Sequence, residues 1–217
     1  MLKVGLTGGI AAGKSVVSEM FVALGAYVVQ ADALAHLLMQ PGQPVYQQVV
    51  QCFGRGILNP DGSVNRPRLA EAAFGSQPAR IAELNRIVHP AVIQAQEEWM
   101  ERVGREHPHA VVMVEAALIL EAGARAGFDR LIVVTCRPEQ RAERWARRLH
   151  VDLETARREV ERRMAAQWPD AEKIKAADHV IDNSGSLDQT EVQVRALFAQ
   201  LKSAALATCP SRLHTES

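Results

Sequence analysis

The sequence predicts a doubly wound α/β domain built on a five-stranded parallel sheet flanked by helices, and three observations carry that prediction. Five short apolar runs recur along the 217 residues, and helical patterns separate them. The first run, Leu2–Thr7, closes on Gly8-Gly9 and opens directly into a helix, as a buried strand feeding a βαβ unit does. Two long segments, one after the second run and one before the last, show helical spacing and no convincing strand, so they read as additions to the sheet.

After the first strand, a helix from about Lys14 to Leu24 ends at Gly25, a residue suited to a left-handed cap. Ala26–Val29 is the second strand, and the right-handed crossover makes it parallel to the first. Helical segments then cover about 33–39, 43–52, 66–74, 78–88 and 91–104, divided by Pro-Gly, Asn-Pro-Asp-Gly and His-Pro breaks. Strands resume at Ala110–Val114, Leu131–Thr135 and His179–Asp182, and all five are expected to be buried. An arginine-rich helical stretch fills 138–177, and a last amphipathic helix runs from after Ser186 to about Ser203. The expected organisation is one domain over 1–205: a core (1–31, 110–137, 178–205), a helical insertion (32–109) and a lid (138–177), with 206–217 as a disordered tail.

Composition narrows the class. This length buries a core without disulfides or structural metal. Lys+Arg and Asp+Glu both total 25, so no bulk charge suits a nucleic-acid coat or an anionic membrane. Three cysteines without paired spacing and a start lacking a signal-peptide pattern fit a soluble protein of a reducing cytoplasm, a monomer or weak homo-oligomer.

Gly8-Gly9-Ile10-Ala11-Ala12-Gly13-Lys14-Ser15 satisfies the phosphate-loop pattern G-x-x-x-x-G-K-[ST], between a strand and a helix as the mechanism requires. Glycines let successive amides turn inward at phosphate oxygens, the helix presents its positive end, Lys14 adds a mobile charge and Ser15 can ligate Mg²⁺. The expected ligand is a nucleoside triphosphate with Mg²⁺, and the fold is a P-loop NTPase or kinase. No Asn-Lys pair supplies a guanine reader, and Ala110–Val114 ends in a lone Glu115 instead of the paired acids of a motor ATPase. A kinase needs an acceptor pocket and a closing arginine element, and the two added segments suit both needs.

Asp32 follows the second strand at the sheet edge that carries the loop. A carboxylate there either takes the proton of an acceptor hydroxyl or caps the helix from Ala33. Residues 137–163 hold nine arginines against six acids, and Arg144 and Arg148 lie one turn apart on a shared face that could close over phosphates. Cys136, directly after a strand, reads as a small core residue.

With these residues in view, the chain resembles the dephospho-coenzyme A kinase family from about Val4 to Leu201. The likeness rests on Gly5–Ile10 with Gly13-Lys14-Ser15, Leu24-Gly25, Ala31-Asp32, Pro41-Gly42, Phe53-Gly54, Asp61-Gly62 and Asn65-Arg66 with Leu69. It continues through Leu84-Asn85, His89-Pro90, Glu121, Arg144, Gln167, Glu172-Lys173, Ala177-Asp178 and Val180–Gly185. The resemblance implies transfer of phosphate from ATP to the ribose 3′-hydroxyl of dephospho-CoA, with Asp32 as base and Lys14 and Arg144 catalytic. It implies nucleotide contacts from residues 8–16 (Gly8 to Val16), Arg148 and Asn183, the last near adenine. It implies acceptor contacts from Asp32, Arg66, Asn85, His89 and Glu121; His89 reads equally as a helix C-cap before Pro90. Ala11 and Ala12 stand where the family commonly has Gly-Ser, Val16 lacks a common hydroxyl, Gln30 replaces an Asp and Ala117 a Pro. If Ala11 needs a left-handed backbone, its Cβ costs roughly 1–2 kcal/mol.

Overall fold

The computed structural model describes residues 1–75 and 79–207. Five strands, β1 (Leu2–Gly8), β2 (Tyr27–Gln30), β3 (Val111–Glu115), β4 (Arg130–Thr135) and β5 (His179–Asp182), form one sheet in the order β2-β3-β1-β4-β5. β1 lies between β3 and β4, parallel to both, with Val4 opposite Met113 and Leu6 opposite Ile132. The three central strands are buried almost throughout, as their continuous apolar runs predict. The outer two correct the expectation of five buried strands. Tyr27 and Gln30 of β2 and Val180 and Asp182 of β5 are exposed, because an edge strand has a neighbour on one side only.

The chain divides into two compact units, Met1–Val28 with Met100–Ser217, and Val29–Trp99. In the first unit, α1 (Lys14–Ala23) and α9 (Leu187–Ala207) supply Val17, Phe21, Val194, Phe198 and Leu201 to a core shared with Val4, Leu6 and Ile132. α9 corrects the expected helix end near Ser203 and the expected tail start at 206: Leu201 and Ala205 are buried, so apolar packing carries the helix to Ala207. The rest of the expected tail, 208–217, lies outside the described residues. The arginine-rich segment resolves into α6 (Pro138–Leu149), α7 (Leu153–Ala165) and α8 (Asp170–Ala176). Ala142 and Trp145 of α6 pack on Ala156 and Val160 of α7, a small core of the lid's own. Asp152 caps α7 by accepting the Thr155 amide at 2.8 Å.

The second unit is helical: α2 (Ala31–Leu38), α3 (Pro44–Phe53), α4 (Arg66–Phe74) and the first part of α5 (Ile81–Glu106). Val45, Val49, Ile57, Leu69, Val88 and Val92 form its core. The two helices expected on either side of His89-Pro90 are one. Pro90 lies inside α5, and Val88 and Val92, both in the core, hold the helix through the missing donor. The His89 C-cap reading falls with that break, and Pro78, the expected helix start, lies outside the described residues. Among the described residues, no helix is long and apolar enough to cross a membrane.

Candidate active site

β1 delivers the chain to the phosphate loop from the middle of the sheet, so the loop stands on a buried strand paired on both sides. Gly8 and Gly13 have φ of 155° and 93°; a Cβ at Gly8 would strike the Val134 carbonyl and one at Gly13 the Asn183 amide. Gly13 is the N-cap of α1, has no side chain to bond the first-turn amides, and is followed by a turn without acids. The first turn of a helix capped in this way suits an anion, which the helix dipole favours. Ala11 has φ 55°, the left-handed backbone that its Cβ disfavours. Lys14 Nζ donates to the Gly8 and Gly9 carbonyls at 3.0 and 3.3 Å, which keeps its charge on the loop.

Ser15 Oγ donates at 2.9 Å to Oε1 of Glu115, a buried carboxylate at the carboxyl end of β3. A hydroxyl and a carboxylate side by side at the foot of a phosphate loop form the hard oxygen donor set that Mg²⁺ prefers. Sequence reasoning noted Glu115 only as a lone acid; its signal was the end of a strand that pairs with β1.

The loop is buttressed from three elements. Asn183, buried after β5, donates Nδ2 to the Ala12 carbonyl at 2.9 Å and accepts Thr190 Oγ1 of α9 at 2.9 Å. Both ends of its amide are thus engaged with the protein, one of them on the loop itself. Arg144 of α6 bonds the Ala12 carbonyl at 3.2 Å and the Asn183 carbonyl at 2.7 Å. Ile10 packs on the Trp145 cluster of the lid. The Arg148 guanidinium lies over the Trp145 ring, 4.7 Å from the centroid. Val16 is exposed on α1.

Glu121 is joined to the lid. Its Oε1 meets Lys173 Nζ of α8 and the Trp168 amide, each at 2.9 Å, and Lys173 is completely buried. Gln167 takes a further bond from Lys173 at 3.3 Å. Three positions that sequence reasoning read separately, Glu121, Gln167 and Lys173, therefore form one buried clamp on α8. A second ion pair on α8, Arg141 with Asp170, was not read from the sequence at all.

In the second unit, Gln30 occupies the N-cap of α2 and Asp32 lies inside its first turn, exposed. This removes the capping alternative for Asp32. No hydrogen bond or ion pair engages its side chain among the described residues. His36 stands one turn further along and opens a recess of about 340 Å³ lined also by Met39, Gln40, Asn59, Ser63 and Val64. Arg66 is the first residue of α4 and exposed, while Asn85 and His89 lie one turn apart on α5. The Arg80 guanidinium donates to Glu83 at 2.7 Å and, with a bond from Cys52, holds the Glu83 carboxyl down to about 2.

A family model described as dephospho-CoA kinase matches residues 2–189. A dephospho-CoA kinase of Syntrophotalea carbinolica is 42% identical over 201 residues, covering 93% of this chain and 92% of that one. One of Aquifex aeolicus is 38% identical over 201 residues, covering 93% and 98%. A solved Thermus thermophilus protein shares the fold with a TM-score of 0.76 and 30% identity, covering 92% of this chain and 97% of its own.

Proposed function

The chain belongs to the dephospho-CoA kinase family, and from that membership we propose that it transfers the γ-phosphoryl group of ATP to the ribose 3′-hydroxyl of dephospho-CoA. CoA and ADP are the products, and the reaction completes CoA synthesis. The observation that carries the reading is the phosphate loop, with no side chain capping the first turn of α1, Lys14 on its rim and the Ser15–Glu115 oxygen pair at its foot.

Phosphoryl transfer asks the protein for positioning and charge. The amides of residues 11–15 and Lys14 hold the β- and γ-phosphates in line for attack. Arg144, already bonded to the loop, adds positive charge at its edge. Ser15 and Glu115 would hold Mg²⁺, which when bound neutralises phosphate oxygens. Asp32 accepts the 3′-hydroxyl proton as the new O–P bond forms and the bond from γ-phosphorus to the bridging oxygen breaks, leaving ADP. Its open carboxylate supports this role, since a base tied up as a cap would be a poor acceptor. Arg66, Asn85, His89 and the recess at His36 offer the acceptor its contacts. Glu121 acts through α8, by holding the lid. The free thiols Cys52 and Cys136 accord with the cytoplasmic site of action we assign.

An ADP-coupled assay tests the reading, with dephospho-CoA run beside adenosine, shikimate, gluconate and nucleoside monophosphates. Turnover with dephospho-CoA alone is expected. A silent dephospho-CoA beside an active alternative acceptor would overturn the assignment.

A further inference from the structure

α6 buries a full positive charge directly behind the phosphate loop. Arg141 is 1% exposed and is the largest fully buried side chain in the described structure. Its Nη2 bonds Asp170 at the start of α8, whereas its Nε and Nη1 make no hydrogen bond. Nη1 lies so close to Gly9 that a Cβ there would overlap it. The guanidinium therefore reaches the loop only because Gly9 has no side chain.

Burying an arginine with two unsatisfied nitrogens is costly unless something compensates the charge. Asp170 does so incompletely. Its side chain is 32% exposed, so water screens the carboxylate while the guanidinium stays dry. Asp170 Oδ1 also stands beside Gly9, so it is the screening of the carboxylate, and not its distance, that leaves the loop a net positive field. A polyphosphate in the loop would complete the compensation at long range, through the backbone that Gly9 keeps thin.

We propose that Arg141 is a positioning residue for the nucleotide phosphates, a buried and half-neutralised charge that strengthens polyphosphate binding, with Asp170 as the counter-charge that sets its strength. The proposal rests on the reading of residues 8–15 as a polyphosphate cradle, and it adds a charge that touches no ligand atom. It also separates the two ends of one ion pair. Removing the arginine removes the field, while neutralising the aspartate releases it.

The experiment measures dissociation constants of ATP, ADP, AMP and adenosine by calorimetric titration for the whole protein and for Arg141→Gln and Asp170→Asn. For Arg141→Gln, ATP affinity is expected to fall about tenfold, ADP less, AMP least, and adenosine not at all, because the energy scales with the charge held in the loop. For Asp170→Asn, ATP affinity is expected to rise about twofold to threefold, since Asn keeps a bond to Arg141 without its charge. A structural tether would weaken all ligands alike in both variants, and that result overturns the proposal. If Arg141→Gln fails to fold, Asp170→Asn decides alone: tighter ATP binding supports the field, and weaker or unchanged binding refutes it. Failure of the unaltered protein to bind ATP would instead defeat the cradle reading itself.

Discussion

The phosphate loop and the helices of the second unit treat the side chains proposed for function in opposite ways. Around the loop the polar groups are engaged with protein: Lys14 on Gly8 and Gly9, Ser15 on Glu115, Asn183 on Ala12 and Thr190, Arg144 on Ala12 and Asn183. In the second unit, Asp32, Arg66 and His89 are exposed, and none of the three is engaged by the protein among the described residues. The strongest polar cluster of that unit, Arg80 with Glu83 and Cys52, includes none of the proposed acceptor contacts. The proposed nucleotide site is thus organised in advance, which lowers the ordering cost of binding, while the second unit keeps the carboxylate proposed as base uncommitted.

The largest expected effect breaks the contrast on the acceptor side. Asp32→Asn should lower kcat by at least about two decades while ATP affinity stays near normal, because the base acts only in the chemical step. Steady-state kinetics beside nucleotide titration would show it, and unaltered turnover would reduce Asp32 to a bystander. On the organised side, Asn183→Ala removes two buried hydrogen bonds, leaving the Ala12 carbonyl to Arg144 alone and the Thr190 hydroxyl to the Ser186 carbonyl. A loss of about 1–3 kcal/mol in urea unfolding is expected, with KM for ATP rising more than KM for dephospho-CoA. Equal rises in both would mean that Asn183 does not act through the loop.

Smaller effects sharpen the comparison. Ala11→Gly should stabilise the protein by roughly 0.5–1 kcal/mol, the left-handed strain relieved less the entropy that glycine adds to the unfolded chain. Thermal unfolding reads this as a higher Tm. The smallest effect concerns Glu83, whose carboxyl is held from 4.5 down to about 2 by the hydrogen bond from Arg80 first and Cys52 second. A depressed carboxyl contributes stability that is present above 4.5 and is lost as pH falls toward 2. NMR titration should place the Glu83 midpoint near 2, and Arg80→Met should return it toward 4.5.

Several features were legible because they are local. The loop motif needs a strand, a glycine-rich turn and a helix in immediate succession, and β1, residues 8–13 and α1 supply them. The apolar runs of β3 and β4 are buried on both faces, and Gly25 takes the left-handed conformation expected after α1, with φ 98°. Pro90 misled because a local breaker was outweighed by Val88 and Val92, whose value depends on a core the sequence does not display. The exposure of β2 and β5 followed from strand order, which no single segment encodes.

By itself the sequence determined the fold class, the phosphate loop, the helical nature of both added segments and the family likeness, since each rests on neighbours a few residues apart. Only the tertiary structure decided which distant side chains meet: Glu115 with Ser15, Asn183 and Arg144 with the Ala12 carbonyl, Glu121 with Lys173, and Arg141 with Asp170 behind Gly9. Such pairs span 29 to 171 residues of chain. Their energies come from burial and from a low local dielectric, both of which exist only once the strands and helices have packed.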